Sequence, residues 1–301
     1  MGTSKSQRFT AVGRTQQRLR LPDGRRLGYA EYGDARGLPV FYFHGFPGSR
    51  LEACLAEKEA LSQGIRLISV DRPGYGLSDG KQNRMLLDWA DDTVYLAEFL
   101  GIQRFSVVGV SGGGPYAAAC AFKIPHLLHR IAVVCGLGPV VTLSGRASAA
   151  GLTVNGLLLA GRFPNFAKLA IAAAGLMYRK DPRLMLALIS RRFAECDRRA
   201  LQIPELNQLL CDSFREAFRR SLFWPARDLV LYGRDWGFPL HEIRVPTRLW
   251  HGERDTVVPP AMAHMLANEI PTCRAVFYPE DGHFSIITHH LDEILAEIGR
   301  R

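Results

Sequence analysis

The chain has 301 residues, of which 47% are hydrophobic and 22% charged, and carries a formal net charge of +9. This length and apolar content suit one α/β core plus an inserted lid, large enough to fold without staples. Six scattered cysteines without a Cys-x-x-Cys pair exclude a zinc ribbon or a disulfide framework and predict a reducing, cytoplasmic setting.

Residues 1–15 read as a flexible basic tail, and residues 1–13 lack the apolar core of a secretory signal. The charge is uneven: residues 1–26 carry a net +6, residues 179–220 a net +4, and the remainder is near neutral. No basic motif interleaved with aromatics accompanies this excess, so nucleic acid is not an expected partner.

A hairpin is predicted from 18–21 and 26–32 around the turn Pro22-Asp23-Gly24. Strands follow near 39–43, 66–70, 105–110 and 130–135, alternating with helices near 51–63, 86–100 and 112–123. That alternation predicts a mostly parallel sheet covered on both faces. The rhythm stops near Gly138. Between 139 and 235 only helices are expected, over 152–160, 166–178, 183–192 and 198–220. The sheet resumes at 244–250 and 275–278, and a last helix covers 286–298. The organisation is thus a core of 16–138 and 236–301 with a helical cap at 139–235. Arg146, Arg162 and Lys168 cut the longest apolar stretches short of a membrane span.

Residues 109–113, Gly-Val-Ser-Gly-Gly, lie between a predicted strand and a predicted helix, with Ser111 at the apex. This is the nucleophile-elbow pattern in the context it requires. A serine hydroxyl is a weak nucleophile and needs a base, which in turn needs an orienting acid. Asp255 follows the strand at 244–250 and His283 follows the strand at 275–278, giving the chain order Ser111, Asp255, His283, with Glu253, Glu280 and Asp281 as competing acids. Backbone N–H groups of Gly112 and of Phe46, in the loop His44-Gly45-Phe46-Pro47-Gly48, are placed to hold an oxyanion. His44, Gly45, Val110, Trp236 and Phe284 are the candidates for substrate contact, with His44 more structural than the rest. Asp71 and Arg72 are expected to form a local turn network at the pocket wall.

These blocks, with Asp71-Arg72-Pro73-Gly74-Tyr75-Gly76-Leu77-Ser78-Asp79, His251-Gly252-Glu253-Arg254-Asp255 and Asp281-Gly282-His283, resemble the α/β-hydrolase superfamily. The likeness is to its capped esterase, haloperoxidase-like and proline-iminopeptidase-like branches. It implies an α/β-hydrolase fold and assigns nucleophile, acid and base to Ser111, Asp255 and His283. It also implies a helical lid roofing an apolar pocket, a small ester-like substrate with an apolar portion, and no metal or organic cofactor. A serine at the apex, where dehalogenases and epoxide hydrolases of this fold carry aspartate, points to acyl transfer. Other bonds (carbon–carbon, lactone, thioester, amide or peptide) remain open, as does a ligand receptor that retains the triad. An aminopeptidase would need a cluster of lid acids, for which Glu195, Asp197 and Glu205 are the nearest candidates.

Overall fold

The computed structural model describes residues 14–143 and 152–300. The expected tail therefore falls outside the described residues except for Arg14 and Thr15, and so does Arg146. Arg14 and Thr15 are tied down: Glu31 N–H donates to Arg14 O, and Arg50 Nε donates to Thr15 O.

Eight strands form one sheet in the order β1-β2-β4-β3-β5-β6-β7-β8. They are β1 (Gln17–Arg20), β2 (Arg26–Gly33), β3 (Leu38–Phe43), β4 (Ile65–Val70), β5 (Phe105–Val110), β6 (Leu128–Val134), β7 (Thr247–Gly252) and β8 (Cys273–Tyr278). β2 runs antiparallel to β1 and β4, and every other neighbour pair is parallel. The parallel strands are near-continuous apolar runs, as a sheet buried on both faces demands; β5 is buried at all six positions.

Helices α1 (Glu57–Ser62), α2 (Asp88–Phe99), α3 (Gly114–Lys123), α11 (Pro260–Glu269) and α12 (Ser285–Ile298) cover the sheet. Among the described residues the segment between β6 and β7 holds helices and no strand: α4 (Val140–Leu143), α5 (Leu152–Arg162), α6 (Pro164–Lys180), α7 (Pro182–Ser190), α8 (Glu195–Ala200), α9 (Pro204–Ala217) and α10 (Pro225–Tyr232). Four of these start on proline, whose fixed φ and missing N–H suit the first turn. Pro204 also corrects one expectation, because the single helix anticipated over 198–220 is split there into α8 and α9. α11 was not anticipated, although Pro259-Pro260 followed by Ala-Met-Ala is a proline start into good helix formers.

β3 feeds β4 on one side, whereas β5 returns to the other side of β3. The chain thus reverses its direction of travel between β3 and β5. Loops that leave the carboxyl ends of two such strands part and open a crevice. Those loops begin at His44 and Ser111.

Candidate active site

At the end of β5 the chain turns through Ser111 with φ +52°, then through a 3-10 turn into α3. A non-glycine residue in the left-handed region costs roughly 1–2 kcal/mol and is held only by its surroundings. The surroundings here are tight. A Cβ on Gly109 would press on Gly113 O and lie 2.9 Å from Ala117 Cβ, and one on Gly113 would strike the carbonyl of Phe43. Ser111 is 7% exposed.

Asp255 lies in the loop after β7. Its Oδ1 accepts the N–H groups of Val257 and Val258, both at 2.8 Å, and its Oδ2 lies 2.7 Å from His283 Nδ1. His251 braces this loop through Nε2 and Val258 O at 2.9 Å, and burial pushes its pKa down. For His283, burial disfavours the charged form, but the Asp255 carboxylate outweighs it and raises the pKa well above the usual imidazole value. The Cys135 thiol, on a left-handed residue after β6, interacts with the same ring.

Ser111 and His283 line one cavity of about 110 Å³. No hydrogen bond joins the two side chains in this structure, and such bonds are often looser before substrate binds. Phe46 lines the cavity beside Ser111, and a Cβ on Gly112 would lie 2.9 Å from Phe46 Cβ. The two candidate oxyanion residues therefore abut. The walls are mostly apolar. Val110, Phe284 and Ile287 come from the core, while Tyr178, Ile189, Phe193, Leu206 and Phe214 come from the cap.

The remaining candidates sit elsewhere. His44 is fully buried behind the wall, with Nδ1 on Gly45 O and Nε2 accepting the Arg72 N–H at 3.2 Å. Gly45 does not line the cavity, and its N–H is taken by Glu52. Trp236 is packed against Phe238 in the main core, because the chain has already rejoined the sheet layer after α10. Glu195 pairs with Arg199 at the surface, Glu205 is exposed, and Asp197 is buried against the His283 loop. The three acids do not gather over the cavity.

Several polar residues of this region were missed in the sequence. Asp228 of α10 is fully buried and is the centre of a network reaching across the cap boundary. It accepts Arg72 Nε at 2.8 Å, Tyr75 OH at 2.8 Å and Tyr116 OH at 2.6 Å, lies 3.1 Å from the Tyr232 hydroxyl oxygen, and pairs with Arg84. Burial alone would raise its pKa, but Arg84 and Arg72 hold the carboxyl well below the ordinary range. Arg72 in turn donates to the carbonyls of His44 and Gly45, and Tyr232 OH donates to Gly112 O at 2.8 Å. The expected local role of Arg72 is thus corrected to a long-range one. Asp71 does cap its own turn through Leu77 N–H, and it also pairs with Arg50 at 2.8 Å.

Among the described residues Glu52 is the one carboxylate that lines the cavity. Its oxygens accept Gly45 N–H at 3.0 and 3.1 Å and Tyr42 OH at 2.8 Å, and burial raises its pKa. Among the described residues no lysine or arginine lines the cavity.

Known proteins resemble this chain over part or most of its length. A non-heme chloroperoxidase of Streptomyces lividans is 33% identical over 124 residues, a match spanning 40% of this chain and 45% of that protein. A 2-hydroxymuconate semialdehyde hydrolase of Pseudomonas putida is 26% identical over 89% of this chain and 88% of its own length. The solved esterase of Exiguobacterium antarcticum superposes with a TM-score of 0.72 at 22% identity, over 95% of this chain and all of that one. The family model described as alpha/beta hydrolase fold matches residues 39–290, and the chain belongs to that family.

Proposed function

We infer that this protein is a serine hydrolase that cleaves a small to medium carboxylic ester through an acyl-serine intermediate. The observation that carries this reading is the Asp255–His283 pair at 2.7 Å, facing a strained, buried Ser111 across one apolar cavity. His283 Nε2 takes the Ser111 proton as Oγ attacks the carbonyl carbon. The resulting oxyanion is held by the N–H groups of Phe46 and Gly112, each contributing roughly 3–4 kcal/mol to the barrier reduction. His283 then protonates the leaving alcohol, and water repeats the sequence on the acyl-enzyme with His283 again as base. Asp255 fixes the Nδ1–H tautomer and stabilises the imidazolium.

The apolar walls favour an acyl or alcohol part of hydrocarbon character. Carbon–carbon hydrolysis of an acidic dienol-type substrate is less well supported, because among the described residues no basic side chain of this segment lines the cavity. A chromogenic ester panel of graded acyl length tests the reading, with a fluorophosphonate probe beside it. The expected result is turnover and covalent labelling that both disappear in Ser111→Ala. Unchanged ester turnover in that variant would overturn the assignment.

A further inference from the structure

We propose that the outer face of α6 and α7 docks on an anionic lipid surface. Along α6, Phe166, Leu169, Ala173 and Leu176 recur at steps of three and four residues, and all four are exposed. Leu169 is 69% exposed and Phe166 is 59% exposed. Leu184 and Leu188 are likewise exposed on α7, which packs beside α6. The opposite side of α6 buries Ala167, Gly175 and Tyr178. A helix that is apolar on both faces normally has protein or lipid on both. Large exposed apolar patches mark interaction surfaces rather than ordinary solvent-facing structure.

The charge on these helices selects the occupant. Residues 152–190 hold five basic side chains, Arg162, Lys168, Arg179, Lys180 and Arg183, against the single acid Asp181. Asp181 is engaged locally, since its carboxylate caps α7 by accepting Leu184 N–H at 2.9 Å. A second copy of this face would bring like charges together around the apolar centre. An anionic lipid surface satisfies both parts, with phosphates for the basic rim and the acyl boundary for the stripe. Among the described residues no helix is long and apolar enough to cross a membrane, so α6 would lie along the interface.

The inner sides of the same helices carry Tyr178 and Ile189, which line the cavity above Ser111. The docked face is therefore one helix diameter, about 10 Å, from the cavity roof.

The test is sedimentation of the full chain with vesicles of phosphatidylcholine alone, and of phosphatidylcholine mixed equally with phosphatidylglycerol. We expect at least tenfold stronger binding to the mixed vesicles, lost as salt is raised. Leu169→Asp combined with Leu176→Asp should weaken that binding at least tenfold. These positions are exposed, so thermal melting should be unaffected; if the variant misfolds, the lipid and salt dependence of the wild type decides alone. Ser111→Ala should bind as the wild type does, which separates docking from the hydrolytic reading. Equal binding to neutral vesicles, no binding to mixed vesicles, or a dimer that Leu169→Asp splits would each overturn the proposal.

Discussion

Asp197 of the cap holds the backbone of His283 in the core: its Oδ2 accepts the His283 N–H at 2.8 Å. Its other oxygen accepts the N–H groups of Phe284 and Ser285 and the Ser285 hydroxyl. These are the donors left over at the start of α12, where a carboxylate is favoured by both hydrogen bonding and the helix dipole. The orientation of the imidazole is thus set by a residue far away in sequence.

Asp197→Ala should therefore impair the enzyme without touching substrate. It strands four donors in a buried site, at a stability loss of about 3 kcal/mol. Urea melts would read that loss. In ester assays the expected signature is a kcat lowered roughly a hundredfold with KM little changed, since a misplaced base weakens the chemical step.

The pH profile follows from His283. Its folded pKa is raised by Asp255 at 2.7 Å despite burial. The proposed base must be neutral to act, so on that reading kcat/KM should climb with pH along a limb centred above about pH 6.5. Asp255→Asn should lower kcat by roughly 10⁴-fold and move the remaining limb down. The same pair has a stability consequence. Because the folded pKa exceeds the unfolded one, its stabilisation is complete below about pH 6.5 and is lost as pH rises through the folded value. Melting temperatures across that window, in wild type and Asp255→Asn, measure it.

Asp228 behaves in the opposite sense. Its folded pKa is depressed, so its contribution is present above about pH 4 and is lost as pH falls through the folded value. Asp228→Asn leaves the buried Arg72 and Arg84 without a counter-charge and should destabilise the fold by about 3–5 kcal/mol. Thermal or denaturant melting tests this directly, and retention of full stability would show that the two arginines find other partners.

Glu52 fixes the loop that carries Phe46. In Glu52→Leu the Gly45 N–H loses its acceptor, and the loop can move relative to Ser111. A fall in kcat of about tenfold is expected, with partial recovery in Glu52→Gln, which keeps an acceptor oxygen. Steady-state kinetics on a single ester distinguish the two variants.

What could be read in the sequence was what lies close in the chain to its own cause. Ser111 announces itself through the flanking glycines, the preceding apolar strand and the following helix. Asp255 and His283 each follow a strand within a few residues. Glu52, Asp197 and Asp228 carry no such local mark. Asp197 meets His283 across 86 residues, and Asp228 meets Arg72 across 156. No periodicity or short motif encodes a contact at that range. Trp236 was misjudged for a related reason, because an aromatic near the end of a cap can face the cavity or rejoin the core. The break at Pro204 was local and legible, since proline both ends one helix and begins the next.

Three carboxylates of the cap region, Asp197, Glu216 and Asp228, reach into the core and end on groups that shape the cavity or its loops. A roof anchored in this way does not swing aside as a hinged door without baring charged groups to a place that cannot solvate them. A break in this segment would strip His283 N–H of its Asp197 acceptor and Arg72 of its Asp228 partner, so proteolytic nicking there should lower hydrolysis along with those contacts.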